Sequence, residues 1–164
     1  MGRVMFIPSS DPPHKRYIGM APSEARAAMV HLAIRDHPDF ELSRIEIRRA
    51  GRSYTADTLS ELRNTLGDAV DLFWIMGADN ATEISTWHRP ERILELATVV
   101  VVRRPGAEPN RGDPALVDRM RFVETPSIEI SSTDIRARVR EGRSTRYLIP
   151  PEVEAYIRQH GLYR

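Results

Sequence analysis

The sequence contains no cysteine, and this absence excludes several kinds of chemistry. Without thiols the chain can form no disulfide, no thiolate metal site and no cysteine nucleophile. Lysine is almost absent too, because Lys15 is the only one and every other basic residue is arginine. A genomic bias in base composition accounts for that count. No spacing of histidines and carboxylates indicates zinc, so we predict no metal-ligating residues in the protein.

Long hydrophobic segments are missing as well. The longest apolar run, Leu96 to Val102, is far shorter than the roughly 20 residues of a membrane span. The opening MGRVMFIPSS is interrupted by proline and does not resemble a signal peptide. With 24 basic and 23 acidic residues the net charge is +1, which gives no bulk argument for nucleic acid or a membrane as partner. We therefore expect a cytoplasmic protein without either partner.

The remaining pattern is one of short apolar strands alternating with helical segments. The length of 164 residues suits one domain with a single core. Strands are predicted at Val4–Ile7, Phe40–Ile47, Leu72–Met76, Thr98–Val102 and Ser127–Ile130. Because several of them are apolar on both faces, they indicate an α/β fold in which helices cover both faces of a parallel sheet.

Helix signals fill the gaps between the strands. Ser23 is predicted to cap a first helix, and Ser53 or Thr55 to cap a second one that ends before Gly67. Further helices are predicted from Ser132 towards Gly142 and after Pro150–Pro151.

Polar residues follow the predicted strands at the positions where ligands bind in such folds, beyond the carboxyl ends of the strands. The four groups are Ser9 to Lys15, Gly77 to Asp79, Arg103–Arg104 and Ser131 to Arg136. They supply hydroxyls, a carboxylate, guanidinium groups and the N–H groups of a helix start. Together they predict an anionic, nucleotide-like ligand.

Three of these groups, and Trp87, also have a purely structural interpretation that the sequence leaves open. Ser131 to Arg136 could bind phosphate through N–H groups, hydroxyls and a guanidinium, or could be an ordinary capping stretch. Asp79 could accept a hydrogen bond from a ribose or cap the next helix. Trp87 could stack on a base or belong to the core, and Arg103 could bind phosphate or be a solvated strand end.

Seven stretches in this order resemble the bacterial nicotinate-nucleotide adenylyltransferases, from Val4 to Arg164. They are FIPSSDPPHK, RAGRSYTADTL, WIMGADN, STWHRPERIL, VVVRRPG, ISSTDIR and YIRQHGLYR. ISSTDIR alone is typical of several nucleotidyltransferases. Its combination with SYTADTL, GAD, TW and PPHK is specific to the nicotinate enzymes.

The resemblance implies a Rossmann-like nucleotidyltransferase that transfers an adenylyl group from ATP, with Mg²⁺, to nicotinate mononucleotide, without a protein nucleophile. It leaves a homo-oligomer open. The residues implied for ATP are Gly77, Asp79, Arg103, Ser131, Ser132, Thr133 and Arg136. Those implied for the nicotinate nucleotide are Ser9, His14, Lys15, Tyr54, Thr55 and Trp87.

One part of the family pattern has no counterpart in these residues. Relatives begin with a strand, a G-G-T-F-D-P-x-H-x-G-H segment with two phosphate-binding histidines, and a long helix. We therefore expect a single nucleotidyltransferase domain, residues 1–164, that is incomplete at its N-terminus, with unknown catalytic residues. The alternatives are a non-catalytic nucleotide-binding relative, a partner chain that supplies the segment, and a related adenylyltransferase with another acceptor. SYTADTL and TW argue against the last.

Overall fold

A computed structural model describes residues 2–11, 19–49, 51–103 and 112–164. The chain divides into two compact units. Unit 1 consists of Met1–Ser53 together with Glu129–Arg164, and unit 2 is Tyr54–Ile128. The chain thus leaves unit 1 after Ser53 and returns to it at Glu129.

The helices and strands have the following bounds. They are β1 Val4–Phe6, α1 Ser23–Ile34, β2 Phe40–Leu42, α2 Ile45–Arg48, α3 Thr55–Leu66, β3 Phe73–Gly77, α4 Ala78–Thr82, a 3₁₀ turn Ile84–Thr86, α5 Pro90–Leu96, β4 Thr98–Arg103, α6 Pro114–Val117, β5 Arg121–Glu124, α7 Ser132–Arg140 and α8 Pro151–Gln159. The described strands form two sheets, in the orders β1-β2 and β3-β4-β5.

Unit 1 is built on a parallel pair of short strands. β1 pairs with β2 in the register Val4 to Phe40, and α1 makes the crossover between them. α1 packs against both β2 and α8. Ala27 of α1 and Ile157 of α8 are among the buried residues of this core. A strand, a crossover helix and a parallel strand are the arrangement that the sequence pattern predicted.

The second strand is shorter than predicted. β2 stops at Leu42, and residues 45–48, expected to extend it to Ile47, form the helical turn α2. The last backbone bond to β1 runs from Ser43 N–H to the carbonyl of Phe6. The Ser43 hydroxyl then accepts from the N–H of Ile45 at 3.4 Å, a local bond that competes with strand pairing. The alternation in FELSRIEI was therefore misleading after its third residue.

Unit 2 contains a three-stranded parallel sheet and the larger hydrophobic core. β4 lies between β3 and β5, with Ile75 opposite Val100 and Val101 opposite Phe122. Helices α3, α4 and α5 surround the buried side of this sheet. The completely buried members of the core include Leu59, Ile84, Ile93, Val99 and Val101. The predicted α/β class with parallel strand pairing is confirmed.

The third strand of this sheet lies earlier than predicted. The structure places β5 at Arg121–Glu124, whereas residues 127–130, expected to be a strand, are not in one. The pairing with β4 ends where Thr125 N–H donates to the carbonyl of Arg103. Pro126 follows, and proline has no N–H to continue the pairing. The apolar side chains of Ile128 and Ile130 are exposed instead.

One face of β3 is exposed to solvent and forms its open side. Trp74 and Met76 face the core, while Phe73 and Ile75 point to the other side and are 53% and 60% exposed. β3 is also the edge strand of its sheet, and no described strand pairs with its outer edge. Side chains of this size normally lie against another element, because leaving them in water loses the favourable free energy of burial.

None of the described helices combines the length and the hydrophobicity that crossing a membrane would require.

Candidate nucleotide-binding site

The start of α7 gathers three hydroxyl side chains and the free N–H groups of a helix. Ser131 is the N-cap in an extended conformation, and its Oγ accepts from the N–H of Asp134 at 3.1 Å. Ser132 is the first helical residue, as predicted. Ser131, Ser132 and Thr133 are all exposed. The cap uses an acceptor lone pair of Ser131, so three hydroxyl donors remain for an anion.

The charges around this turn favour an anionic ligand. Arg136 lies one turn into α7, and its Nη2 donates to Oγ1 of Thr133 at 3.1 Å. The one acidic residue of the first turn, Asp134, would oppose an anion. Arg138 Nε donates to Asp134 at 2.7 Å, and an Nη atom of Arg143 lies 4.0 Å from it. These two arginines offset the carboxylate, so the positive charge of Arg136 and the helix dipole favour phosphate at this turn.

Unit 2 contains a cavity of about 410 Å³ at the carboxyl ends of β3 and β4. Gly77, Val102 and Arg103 line it from the strand ends, and residues 125–128 after β5 line it as well. A volume of this size is typical of small-molecule sites. Its position is the one that parallel α/β folds use for ligands.

Arg103 is the charged residue among the described lining of the cavity. Its guanidinium carbon lies 4.9 Å from the centre of the Phe122 ring, within the range of a cation–π interaction. Its Nε is buried and has no hydrogen-bond partner among the described residues. A buried donor without an acceptor costs about 1–3 kcal/mol. Arg103 is therefore a half-buried residue of the cavity lining rather than a solvated strand end.

Gly77 and Asp79, adjacent in sequence, have different surroundings. Gly77 lines the cavity, and its φ of −78° is open to any residue, so the backbone does not require glycine. A Cβ at Gly77 would meet no atom within 4 Å. Asp79 is exposed in the first turn of α4, does not line the cavity and makes no side-chain cap. The cap alternative for Asp79 is thus wrong.

The start of α3 forms the second site feature of unit 2. Tyr54 is the N-cap in an extended conformation and Thr55 is the first helical residue, without the side-chain cap expected from Ser53 or Thr55. The Tyr54 ring lies 4.5 Å from the His88 ring, centre to centre. Trp87, the neighbour of His88, is half-buried and packs against the core of unit 2. Trp87 thus belongs partly to the core, while the loop that carries it contacts the start of α3.

The loop after β1 in unit 1 is held by an arginine that sequence reasoning missed. Arg26 of α1 donates to the carbonyls of Ser9 at 2.5 Å, Ser10 at 3.1 Å and Ala21 at 3.2 Å. Ser9 is half-buried there. Nothing in the sequence distinguishes Arg26 from the many other arginines.

The structure brings the predicted residues together in three groups. Ser131 to Arg136 form one turn in unit 1, Gly77 and Arg103 share the cavity of unit 2, and Tyr54 and Thr55 adjoin the loop of Trp87. His14 and Lys15 lie outside the described residues. Besides Arg26, the sequence did not indicate residues 125–128, His88 or Arg89. His88 and Arg89 lie within the STWHRPERIL stretch without an assigned role, and the contacts of all these residues were revealed only by packing.

The described ranges contain no group of three or more histidine, aspartate or glutamate side chains that could hold a metal ion. Mg²⁺ in nucleotide sites is usually bound through substrate phosphates and water with one or two carboxylates, so such a group is not required.

Parallel strands flanked by helices, with a cavity at the strand ends and a hydroxyl-rich helix start, define a Rossmann-like nucleotidyltransferase. The cytidylyltransferase-like family profile matches residues 2–138. In structure the chain is similar to the nicotinic acid mononucleotide adenylyltransferase of Plasmodium falciparum complexed with NaAD, with a TM-score of 0.76 and 16% identity over 99% of this chain and 83% of that one.

Two curated bacterial proteins are more similar in sequence, and each carries the name "Probable nicotinate-nucleotide adenylyltransferase". The one from Thermomicrobium roseum is 44% identical over 100% of this chain and 78% of its own length. The one from Thermus thermophilus is 48% identical over 100% of this chain and 84% of its own length. The chain belongs to the nicotinate-nucleotide adenylyltransferase family.

Proposed function

We propose that the chain transfers the adenylyl group of ATP to nicotinate mononucleotide, which forms nicotinate adenine dinucleotide and pyrophosphate in NAD biosynthesis. The observation that carries the proposal is the start of α7, where three hydroxyls, free N–H groups and Arg136 converge in a chain of this family. That combination is suited to the phosphates of a nucleotide.

The reaction needs positioning more than covalent chemistry from the protein. An oxygen of the 5′-phosphate of nicotinate mononucleotide forms a bond to the α-phosphorus of ATP. The bond from that phosphorus to the oxygen bridging to the β-phosphorus breaks, and pyrophosphate leaves with the electron pair. Both substrates are anionic, so neutralising their charge and aligning them supply most of the rate enhancement.

On the ATP side, the start of α7 in unit 1 is suited to phosphates, and the resemblance assigns the adenosine part to Gly77. Ser131, Ser132 and Thr133 donate hydroxyls, and Arg136 supplies the charge. Gly77 lets the ligand approach the backbone because it presents no side chain to the cavity. Arg103, which lines the same cavity, is assigned to ATP by resemblance.

On the acceptor side, the start of α3 and the adjoining loop receive the nicotinate nucleotide. Trp87 lies near the ring and Thr55 near its carboxylate, with Tyr54 beside them. The contact between the Tyr54 and His88 rings supports this arrangement, because it holds both segments at one place in unit 2. Ser9, His14 and Lys15 remain assigned to the same ligand by resemblance alone, and Asp79 to the adenosine part.

Mg²⁺ bound with ATP would neutralise charge on its phosphates. The hydroxyls and N–H groups of the α7 start would hold such a complex through its phosphate oxygens. No described carboxylate cluster competes for the ion.

The proposal is tested by product formation. Purified protein receives ATP, Mg²⁺ and nicotinate mononucleotide, and chromatography measures the dinucleotide. Two proteins are compared: residues 1–164, and the same residues with the first strand, histidine segment and helix of a relative fused ahead. The open side of β3, with Phe73 and Ile75 exposed, supports the packing of that addition.

Dinucleotide formation by either protein supports the function. If only the extended protein forms the dinucleotide, the added segment with its histidines is required for the reaction. A folded extended protein without product contradicts the proposal. Pantetheine phosphate serves as the control acceptor, since a preference for it over nicotinate mononucleotide would place the chain with a different acceptor class.

A further inference from the structure

The loop that carries Trp87 is fixed at both ends to the core of unit 2. Trp87 N–H donates to the carbonyl of Ile84 at 3.0 Å, and Ile84 is completely buried. The carbonyl of Arg89 accepts from Ile93 N–H at 3.4 Å, and Ile93 is completely buried as well. The path of the chain between these anchors decides where the Trp87 and His88 rings point.

Arg89 determines that path through an uncommon backbone conformation. Its φ of 50° and ψ of 63° are left-handed, and it is one of three non-glycine residues with positive φ among those described. The conformation costs an ordinary residue roughly 1–2 kcal/mol. Residues that keep such a conformation despite its cost are concentrated at functional sites, so Arg89 is a candidate for a functional role.

The Arg89 side chain reaches the first turn of α3. An Nη atom of Arg89 lies 4.0 Å from Oδ1 of Asp57. Next to this pair, the rings of His88 and Tyr54 are in contact. Two neighbouring residues of the loop therefore meet two residues at the start of α3, and both contacts lie next to residues assigned to the nicotinate nucleotide.

We propose that Arg89 is a positioning residue, which acts through its left-handed backbone and its ion pair with Asp57 to hold Trp87 and His88 against the start of α3. This inference rests on the proposed function, because it assigns the loop to the acceptor. Arg89 itself does not touch the ligand. It fixes the geometry in which Trp87 meets the nicotinate ring and Thr55 its carboxylate.

The test separates position from stability by a choice of variants. Arg89→Gly keeps the left-handed turn, which glycine adopts without cost, and removes the ion pair. Asp57→Asn removes the same pair from the other side, and Arg89→Lys retains the cation. Arg92→Ala is the matched control, since Arg92 is an exposed arginine nearby that pairs with Glu95 at 2.8 Å.

Trp87 serves as the probe in a Trp74→Phe background, where it is the only tryptophan. Trp74 Nε1 is buried without a partner among the described residues, so this change loses no described hydrogen bond. Access of acrylamide to Trp87 is measured by fluorescence quenching without ligand. Calorimetry then gives the affinities for nicotinate mononucleotide and for ATP, and thermal unfolding gives Tm.

We expect Arg89→Gly and Asp57→Asn to increase quenching of Trp87 and to weaken nicotinate mononucleotide about two- to fivefold, as for an exposed ion pair. ATP affinity stays unchanged, Arg89→Gly does not lower Tm, and Arg89→Lys and Arg92→Ala match the parent. Unchanged quenching in both variants would overturn the inference. So would a lower Tm with unchanged affinity, since that assigns the pair to stability alone. If neither the parent nor the extended protein binds nicotinate mononucleotide, the proposed function fails, and the quenching result still decides the role of Arg89.

Discussion

At the start of α7, the groups that can bind phosphate are consecutive in sequence, whereas the cavity of unit 2 is lined from three separate segments. Ser131 to Thr133 and Arg136 come together because one helical turn brings them together. Gly77 and Arg103 meet only because β3 and β4 are paired, and residues 125–128 only because β5 follows β4. Local structure therefore forms the phosphate-binding groups of α7, and tertiary structure forms the cavity of unit 2.

The comparison implies that the two features should respond differently to substitution. Changes at α7 act on charge and on one helix end, and they should leave unit 2 intact. Changes in unit 2 alter a cavity wall or the core, and they should affect stability and binding together.

The largest effect is expected from Arg136→Ala. Loss of a charged hydrogen bond to phosphate costs on the order of 1.5–3 kcal/mol, which is roughly a 10- to 150-fold loss of ATP affinity. The rise in Tm that ATP induces should shrink accordingly. Arg140→Ala, at the exposed end of α7, is the control that should leave this rise unchanged. An unchanged rise in Arg136→Ala would remove Arg136 from the phosphate site.

Trp87→Ala should reduce stability as well as acceptor binding. Because Trp87 is half-buried against the core of unit 2, we expect a loss of about 2 kcal/mol in the free energy of unfolding, less than for a fully buried tryptophan. Denaturant titration measures this loss. Trp87→Phe should regain much of the stability. Full stability in Trp87→Ala would show that the side chain is not part of the core.

Ser131→Ala should destabilise unit 1 through the end of α7. The Ser131 hydroxyl accepts from Asp134 N–H, and removing such a cap costs about 1 kcal/mol. Ser132→Ala removes a neighbouring hydroxyl that does not cap, so its unfolding curve should match the parent. Equal destabilisation by the two variants would contradict the assignment of the cap to Ser131.

The smallest effect on folding is expected from Gly77→Ala. The added Cβ meets no atom within 4 Å and the backbone conformation suits alanine, so stability should change by less than about 0.5 kcal/mol. ATP should nevertheless bind more weakly, because the methyl group occupies space at the cavity wall. Parent affinity for ATP in Gly77→Ala would show that the ligand does not approach this part of the backbone.

The sequence predicted well where neighbouring residues decide the structure. The α7 start, the end of α3 at Gly67 with its φ of 76°, and β3 and β4 were found within a residue or two, because turn chemistry and apolar runs are local signals. β5 was placed about six residues too late. Its RFVE sequence has only two apolar residues, and pairing with β4 rather than composition makes it a strand.

The candidate site divides in the same way. Motifs indicated Ser131 to Arg136, and the structure confirms that they share one turn. No local signal could indicate Arg26, because its role depends on the carbonyls of Ser9, Ser10 and Ala21 lying within reach of α1. The left-handed conformation of Arg89 was not predicted for a similar reason, because the sequence signals such a conformation mainly through glycine.

A crossed calorimetric titration tests most directly whether the ATP phosphates bind at α7 and the nicotinate nucleotide binds at the loop of Trp87. ATP and nicotinate mononucleotide are each titrated into the parent, Arg136→Ala and Trp87→Phe proteins. If they do, Arg136→Ala weakens the binding of ATP far more than that of nicotinate mononucleotide, and Trp87→Phe does the reverse. Equal losses of both ligands in both variants would contradict this assignment.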